Sequence, residues 1–486
     1  LLLIPCCLAI LLQLAVLSPH WRFQRDSPVY LSGARSLIEG RGYQYNRAPL
    51  TRYAPGLPLI LAATGNLTGM PETLHDSFLC LNGTIALLGV GCVILTFVIV
   101  REVGASLWIA FMAALFLSVS RTLIYYSTQL ITDVPFTFFA LLALWFGLKM
   151  VRSSGARSWA WCAACAMTIV WASAIRPLGP LLAVSVPAGL WLRKDWRQGW
   201  LARVGKTLVI AVCLAVPLLL WSRWTHQAAV ETPWHYTQMA FRRNIFWFVL
   251  TSPLKLFEHM EGLSDALLGI PLAGVPGFLF LPLFIAGAAR SVRRHERILS
   301  AWVVLNWGAI IGCGYALARR YLLPTVPVMI YWLVLGACVI GSRALRSERV
   351  RNPDRLRTIA IWVAAALFLI PNLARVSKLV YQSRSGRFYE LVDDGRGSDY
   401  AAITDWLREN ANPNAAVLGH ETTTLHYFSR LQTVSFPRLR DELTLDELTT
   451  LLMRRNIRYI AADEREPEGR AALRSLKAAY PEALEV

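Results

Sequence analysis

Two carboxylates and a scatter of arginines are the residues of this 486-residue chain whose types and settings could do chemistry. Asp26 lies in Arg25-Asp26-Ser27-Pro28-Val29-Tyr30. Pro28 suits the first turn of a helix and Ser27 its N-cap, so the spacing predicts a helix to about Glu39, closed by Gly40. Asp26 is then not needed for capping and is available for proton transfer. The plainer reading is a solvated loop carboxylate paired with Arg22 or Arg25. The helix carries an apolar stripe (Tyr30, Ala34, Leu37, Ile38) and a polar side (Ser32, Arg35, Ser36, Glu39), the pattern of a helix lying on a membrane surface.

The second acid, Asp133, opens an apolar run in Gln129-Leu-Ile-Thr132-Asp133-Val-Pro135-Phe136. Alone, Asp133 or Thr132 reads most simply as the cap of the next helix, with Pro135 in its first turn. Arg52, Arg121, Arg176, Arg319 and Arg320 stand at the ends of apolar runs. Charge at membrane depth is costly and faces a cavity or a partner, and an anionic phosphate would satisfy several guanidiniums at once. Snorkelling to lipid headgroups is the alternative for each.

The elements that must position these residues are apolar. The chain is 55% hydrophobic and 16% charged, with a mean hydropathy of +0.43, too apolar for a soluble protein of this length. Stretches near the bilayer-spanning length recur at Leu1–Leu17, Phe78–Val100, Ser106–Ile124, Val134–Met150, Trp159–Ala174, Leu178–Leu192, Leu208–Trp221, Ala273–Ala289, Ile298–Leu317, Leu322–Ile340 and Ile359–Ile370. They imply an α-helical polytopic membrane protein with about 11 transmembrane helices. Leu1–Leu17 lacks a small-residue cleavage site and reads as a retained helix. A start at Leu1, within an apolar run, reads as truncated. The net charge of +18 fits a membrane surface and an anionic lipid substrate rather than nucleic acid. Cys162 and Cys165 have redox-motif spacing but sit among alanines in a span, where small packing residues are expected.

Short basic loops (Lys149–Arg157, Arg193–Arg203, Arg290–Arg297, Arg343–Arg357) recur every second span and so share one face, which the positive-inside rule makes cytoplasmic. The opposite face receives a first long loop (18–75), a second (222–270) and the tail. The expected division is a membrane domain over 1–371 and a small extracytoplasmic α/β domain over 372–486. In that tail, helical and strand-like segments alternate: Asp399–Asn410, Ala415–Leu418, Thr422–Arg430, Gln432–Phe436, Thr444–Asn456, Arg458–Ala461 and Gly469–Ala479. His226, His235 and His259 share the second loop with Glu231, Glu258 and Glu261, without tight metal-ligand spacing.

Three passages together resemble the GT-C superfamily of polytopic glycosyltransferases, in particular the bacterial branch related to protein O-mannosyltransferases and the lipid A aminoarabinose transferase. They are Asp26 with its helix, Gly40-Arg-Gly42-Tyr43 and Arg52-Tyr53-Ala-Pro55-Gly56-Leu-Pro58; Thr132-Asp133-Val-Pro135-Phe136; and Arg320-Tyr321-Leu-Leu-Pro324. The resemblance implies a membrane glycosyltransferase of the bacterial inner membrane that takes a sugar from a polyprenyl-phosphate donor. The acceptor hydroxyl would belong to a lipid, protein or polysaccharide. It assigns Asp26 as the catalytic acid-base residue and Asp133 as a second active-site acid. Arg52 and Arg320, with Tyr53, Arg176, Arg319 and Tyr321, become the donor-phosphate set. The metal-dependent relatives carry an acid pair where this chain has Asp26 alone, so no cofactor is expected and a divalent metal is not supported. A lipid-linked saccharide flippase or transporter is the rival reading, although no repeated halves are visible. An O-antigen-type polymerase or ligase is a further one.

Overall fold

A computed structural model of the chain describes residues 1–20, 22, 26–192, 199–228, 265–267, 275–293, 296–312, 319–344, 353–384, 396–419, 422–435, 445–461, 474 and 477–478. The expected second long loop, with His235 and His259, and the expected helix Gly469–Ala479 fall almost wholly outside these residues. By internal contacts the chain forms two units. One comprises Leu1–Leu17, Thr51–Leu57 and Asn82–Ser385, and the other Ser18–Leu50, Pro58–Leu81 and Gly386–Val486. The boundary therefore runs differently from one drawn at residue 371, because most of the first long loop clusters with the tail.

The first unit is helical. Among the described residues, Leu79–Glu102, Asp133–Arg152, Gly155–Ile175 and Trp200–Ala228 are long and apolar enough to cross a membrane. Shorter apolar helices include Leu3–Val16, Leu107–Ser118, Arg297–Gly312 and Val326–Ala344. The single span read over Ser106–Ile124 is instead two helices, Leu107–Ser118 and Arg121–Tyr126. Ser106 caps the first by accepting the Ile109 N–H at 3.3 Å. Leu182–Trp191 starts only after a 3-10 turn at Gly179–Leu181.

Small residues set the closest helix approaches. Side chains at Gly287 and Gly336 would run into the backbone carbonyls of Trp332 and Leu283, so Val275–Arg293 and Val326–Ala344 cross nearly backbone to backbone. Cys162 and Cys165 are buried and free. The Cys165 Sγ lies 3.3 Å from the Ala143 carbonyl oxygen, in keeping with the packing reading. The outward side of Trp200–Ala228 is bare, with Leu201, Leu208, Val212, Leu219 and Leu220 all exposed. Such a surface needs lipid or another apolar neighbour.

The second unit is α/β. Ala416–Gly419 is the middle strand of a three-stranded sheet, flanked by Gln432–Ser435 and Ile457–Ala461, all parallel. Ala416, Val417 and Leu418 are essentially solvent-free, as a strand covered on both faces requires. Helices Arg396–Asn410, Thr422–Ser429 and Leu445–Arg454 belong to the same segment. From the first long loop come helix Ser27–Ile38 and a hairpin pairing Gln44–Tyr45 with Ala48–Pro49. The hairpin tip, Asn46 and Arg47, has φ of 52° and 63°, the doubly left-handed geometry that matches strand twist in a two-residue turn.

Candidate functional site

Helix Asp133–Arg152 brings its first residue, Asp133, into the interior of the first unit at 0% exposure. Neither expected cap forms. Thr132 is the N-cap residue but makes no side-chain capping bond, and both Asp133 oxygens face guanidinium groups. Arg320 Nε donates to Oδ2 at 3.1 Å. Arg176 Nη1 stands 2.9 Å from Oδ1, a close ion pair whose angle falls short of a hydrogen bond. A buried charge of this kind persists only when paired. Here one acid meets two cations.

Each partner is delivered by local sequence. Pro177 bars the residue before it from helical geometry, so Gly155–Ile175 ends and Arg176 turns extended (φ −145°, ψ 141°). The chain then folds back. Gly179 donates its N–H to the Arg176 carbonyl at 2.9 Å and packs against the backbone of Ser173, where a side chain would not fit. Arg320 and Tyr321 lie on the short turn Arg319–Leu322. The segment after it is held by two tryptophans: Trp302 Nε1 donates to the Pro324 carbonyl at 3.2 Å and Trp307 Nε1 to Thr325 Oγ1 at 3.1 Å. Aromatic rings complete the setting, with the Arg176 guanidinium 5.7 Å from the Tyr321 ring and 5.9 Å from that of Phe136.

The structure thus brings together Asp133, Arg176, Arg320 and Tyr321. Arg52 is exposed and stands over its neighbour Tyr53 at 5.6 Å. That segment is seated by Gly56, since a Cβ there would lie 2.6 Å from the Ala174 carbonyl oxygen, two residues before Arg176. The side chain of Arg319 is outside the described residues. Arg121 belongs to a different pairing. Its Nη1 pairs with Asp265 at 3.5 Å and its backbone N–H donates to Asn372 Oδ1 at 3.0 Å, so its charge has a protein partner.

Asp26 lies in the second unit, partly buried, at the N-cap position of Ser27–Ile38. Its carboxylate makes no capping bond. The expected cap is corrected here: Ser27 is the first helical residue and fully buried. The membrane-surface reading of this helix is also corrected. Every residue from Ser27 to Ser36 is buried, the polar side included, because Arg35, Ser32 and Ser36 face protein. Spacing alone does not mark Gly179, and it gives Gly56 and Arg35 no role beyond a motif position and a polar stripe. Their roles depend on contacts distant in sequence or on backbone proximity, which no local pattern carries. Among the described residues no three His, Cys, Asp or Glu side chains converge as metal ligands would.

Solved structures supply the wider likeness. ArnT from Cupriavidus metallidurans, in a crystal structure bound to undecaprenyl phosphate, superposes with a TM-score of 0.58 at 16% identity, over 94% of this chain and 89% of that one. The two chains share a fold. The oligosaccharyltransferase of Archaeoglobus fulgidus agrees in the apo form, with a TM-score of 0.59 at 12% identity over 95% of this chain and 69% of its own. AglB, an oligosaccharyltransferase from the same organism, in complex with an inhibitory peptide and a dolichol-phosphate, gives 0.58 at 14% identity over 94% of this chain and 69% of its own. No family model matches the sequence, and no curated protein sequence matches it either. The likeness to these proteins is therefore one of three-dimensional fold.

Proposed function

We propose that this chain is an integral membrane glycosyltransferase that moves a sugar from a polyprenyl-phosphate donor to an acceptor hydroxyl at the outer face of the bacterial inner membrane. The observation that carries the reading is the buried Asp133 flanked by Arg176 and Arg320, on a fold shared with ArnT bound to undecaprenyl phosphate. A fold alone does not name a reaction. A cationic pair braced by one carboxylate is, however, the chemistry a phosphate ester needs.

In this mechanism Asp26 takes the proton of the acceptor hydroxyl as that oxygen bonds to C1 of the sugar. The bond from C1 to the phosphate oxygen breaks through an oxocarbenium-like transition state. The lipid phosphate leaves with its negative charge stabilised by Arg176 and Arg320, aided by Arg52, Arg319, Tyr53 and Tyr321. A single displacement inverts the anomeric centre. Residues 372–486 would lie outside the membrane and the short basic loops inside.

The test is transfer from defined polyprenyl-phosphate sugars by purified protein. Asp26→Asn is expected to lower kcat by about a hundredfold or more while leaving donor binding intact. Full transfer by a correctly folded Asp26→Asn protein would overturn the assignment.

A further inference from the structure

The second unit is held together by an unusual buried charge. Arg35, in the last turn of Ser27–Ile38, is 6% exposed. Its Nη1 donates to the Tyr427 carbonyl at 2.7 Å and its Nη2 to the Pro71 carbonyl at 2.6 Å. The guanidinium also lies 4.0 Å over the Tyr427 ring, and the Tyr427 hydroxyl donates to the same Pro71 carbonyl at 2.8 Å. One cation thus ties three segments: the helix that begins beside Asp26, the chain at Pro71, and helix Thr422–Ser429 of the tail. Only a planar fork with several donors can serve both carbonyls and stack on the ring.

Further bonds run between the same parts. Asn46 exchanges two hydrogen bonds with the backbone of Thr433, donating to its carbonyl at 2.9 Å and accepting its N–H at 3.0 Å. The Asn46 N–H donates to His426 Nε2 at 3.0 Å, Arg47 donates to the Pro413 carbonyl at 2.6 Å, and the Phe78 and Phe428 rings meet edge to face at 6.4 Å. Arg430 and Glu72 form a salt bridge at the exposed rim.

We propose that the C-terminal α/β segment serves as the mount of helix Ser27–Ile38, and that Arg35 is a positioning residue which fixes that helix and, through it, Asp26 at its N-cap. A 12-residue helix is a stiff rod of roughly 18 Å, so clamping its last turn sets where its first turn points. A buried guanidinium is costly to place and serves poorly as mere filling. Two well-directed carbonyls and a ring restrain it in direction as well as position, which a catalytic group needs to within fractions of an ångström. The inference rests on the reading of Asp26 as the base.

The experiment compares full-length wild type, Arg35→Gln, Arg35→Lys and Glu72→Gln. It measures amide hydrogen exchange over residues 27–38, and kcat and donor KM in polyprenyl-phosphate-sugar transfer. Arg35→Gln is expected to speed exchange in that helix at least tenfold and to lower kcat at least tenfold, with donor KM within twofold of wild type. Arg35→Lys, which keeps the charge but loses the fork, should fall between. Glu72→Gln removes only a rim contact and should change nothing. Unaltered exchange in Arg35→Gln, or looser exchange with kcat unchanged, overturns the proposal. Should Arg35→Gln not fold, Arg35→Lys decides on the same two readouts. Full activity of Asp26→Asn with helix loosening in Arg35→Gln would defeat the base assignment and leave the mount standing.

Discussion

At the residue scale, Asp133 is the position where structure most alters the chemistry. An acid whose two oxygens face Arg320 and Arg176 is already in place to orient both guanidiniums. Its neighbours then differ in an observable way. Arg320→Gln or Arg176→Gln removes a cation from the phosphate set and is expected to weaken undecaprenyl-phosphate competition by about 10- to 100-fold, the worth of a hydrogen bond to a charged group. Asp133→Asn should leave competition closer to wild type and instead lower kcat, because the guanidiniums stay but lose their direction. Equal loss of lipid-phosphate binding in all three variants would show the cluster to be structural. Pairing by sequence could not reveal this, since Asp133 and Arg320 are 187 residues apart.

At the element scale, much is legible in the sequence, for identifiable reasons. The long apolar runs and the alternating tail segments carry their periodicity in consecutive residues. Strand Ala416–Gly419 and helix Thr422–Ser429 accordingly fall within about a residue of where patterning put them. The break at Val119–Ser120 inside one apolar run was not legible, because hydropathy is blind to backbone direction. Patterning is blind to the environment of Ser27–Ile38 for a related reason: a helix with a polar stripe looks the same whether that stripe meets water or a folded partner. Its actual partner includes His426. Nδ1 of His426 lies 2.7 Å from the Leu431 carbonyl oxygen, and its Nε2 accepts from Asn46, so the ring is used in its neutral form. Burial, with Arg35, Arg41 and Arg47 nearby, depresses its pKa to about 4 from 6.5. The unfolded chain therefore takes up this proton more readily than the folded one. Stability from this site is complete above pH 6.5 and is lost progressively as pH falls from 6.5 toward 4, by at most about 3 kcal/mol. Thermal unfolding followed from pH 7.5 to 5 should show the fall, and His426→Gln should flatten it. An unchanged pH slope in that variant would point to other groups.

At the scale of the whole molecule, charge placement governs orientation. Glu102 pairs with Lys149 at 2.8 Å and with Arg152 at 3.6 Å, but orientation follows the count of Lys and Arg rather than net charge, so that basic loop keeps its weight in the proposed sidedness. Orientation is testable with the nine native cysteines replaced and single cysteines placed at exposed turns. Asn414→Cys should react with a membrane-impermeant thiol reagent in intact spheroplasts, and Ser154→Cys only after permeabilisation. Labelling of both from the same side would refute the proposed sidedness.

The second unit also has a history written into its chain order. Arg35 waits for a carbonyl 392 residues downstream. At synthesis rates of about 5–20 residues per second, that partner follows roughly 20–80 s later. During that interval the segment has left the ribosome with Arg35 within reach of only the nearer of its two carbonyls, that of Pro71, and with a hairpin tip whose partners in the tail are still to come. Closing so large a loop is slow as well as late. A nascent chain is therefore recognisable as unfinished by this segment alone. Proteases and chaperones would meet an open loop on any chain that stalls, and a closed one only when translation has delivered the residues around Tyr427.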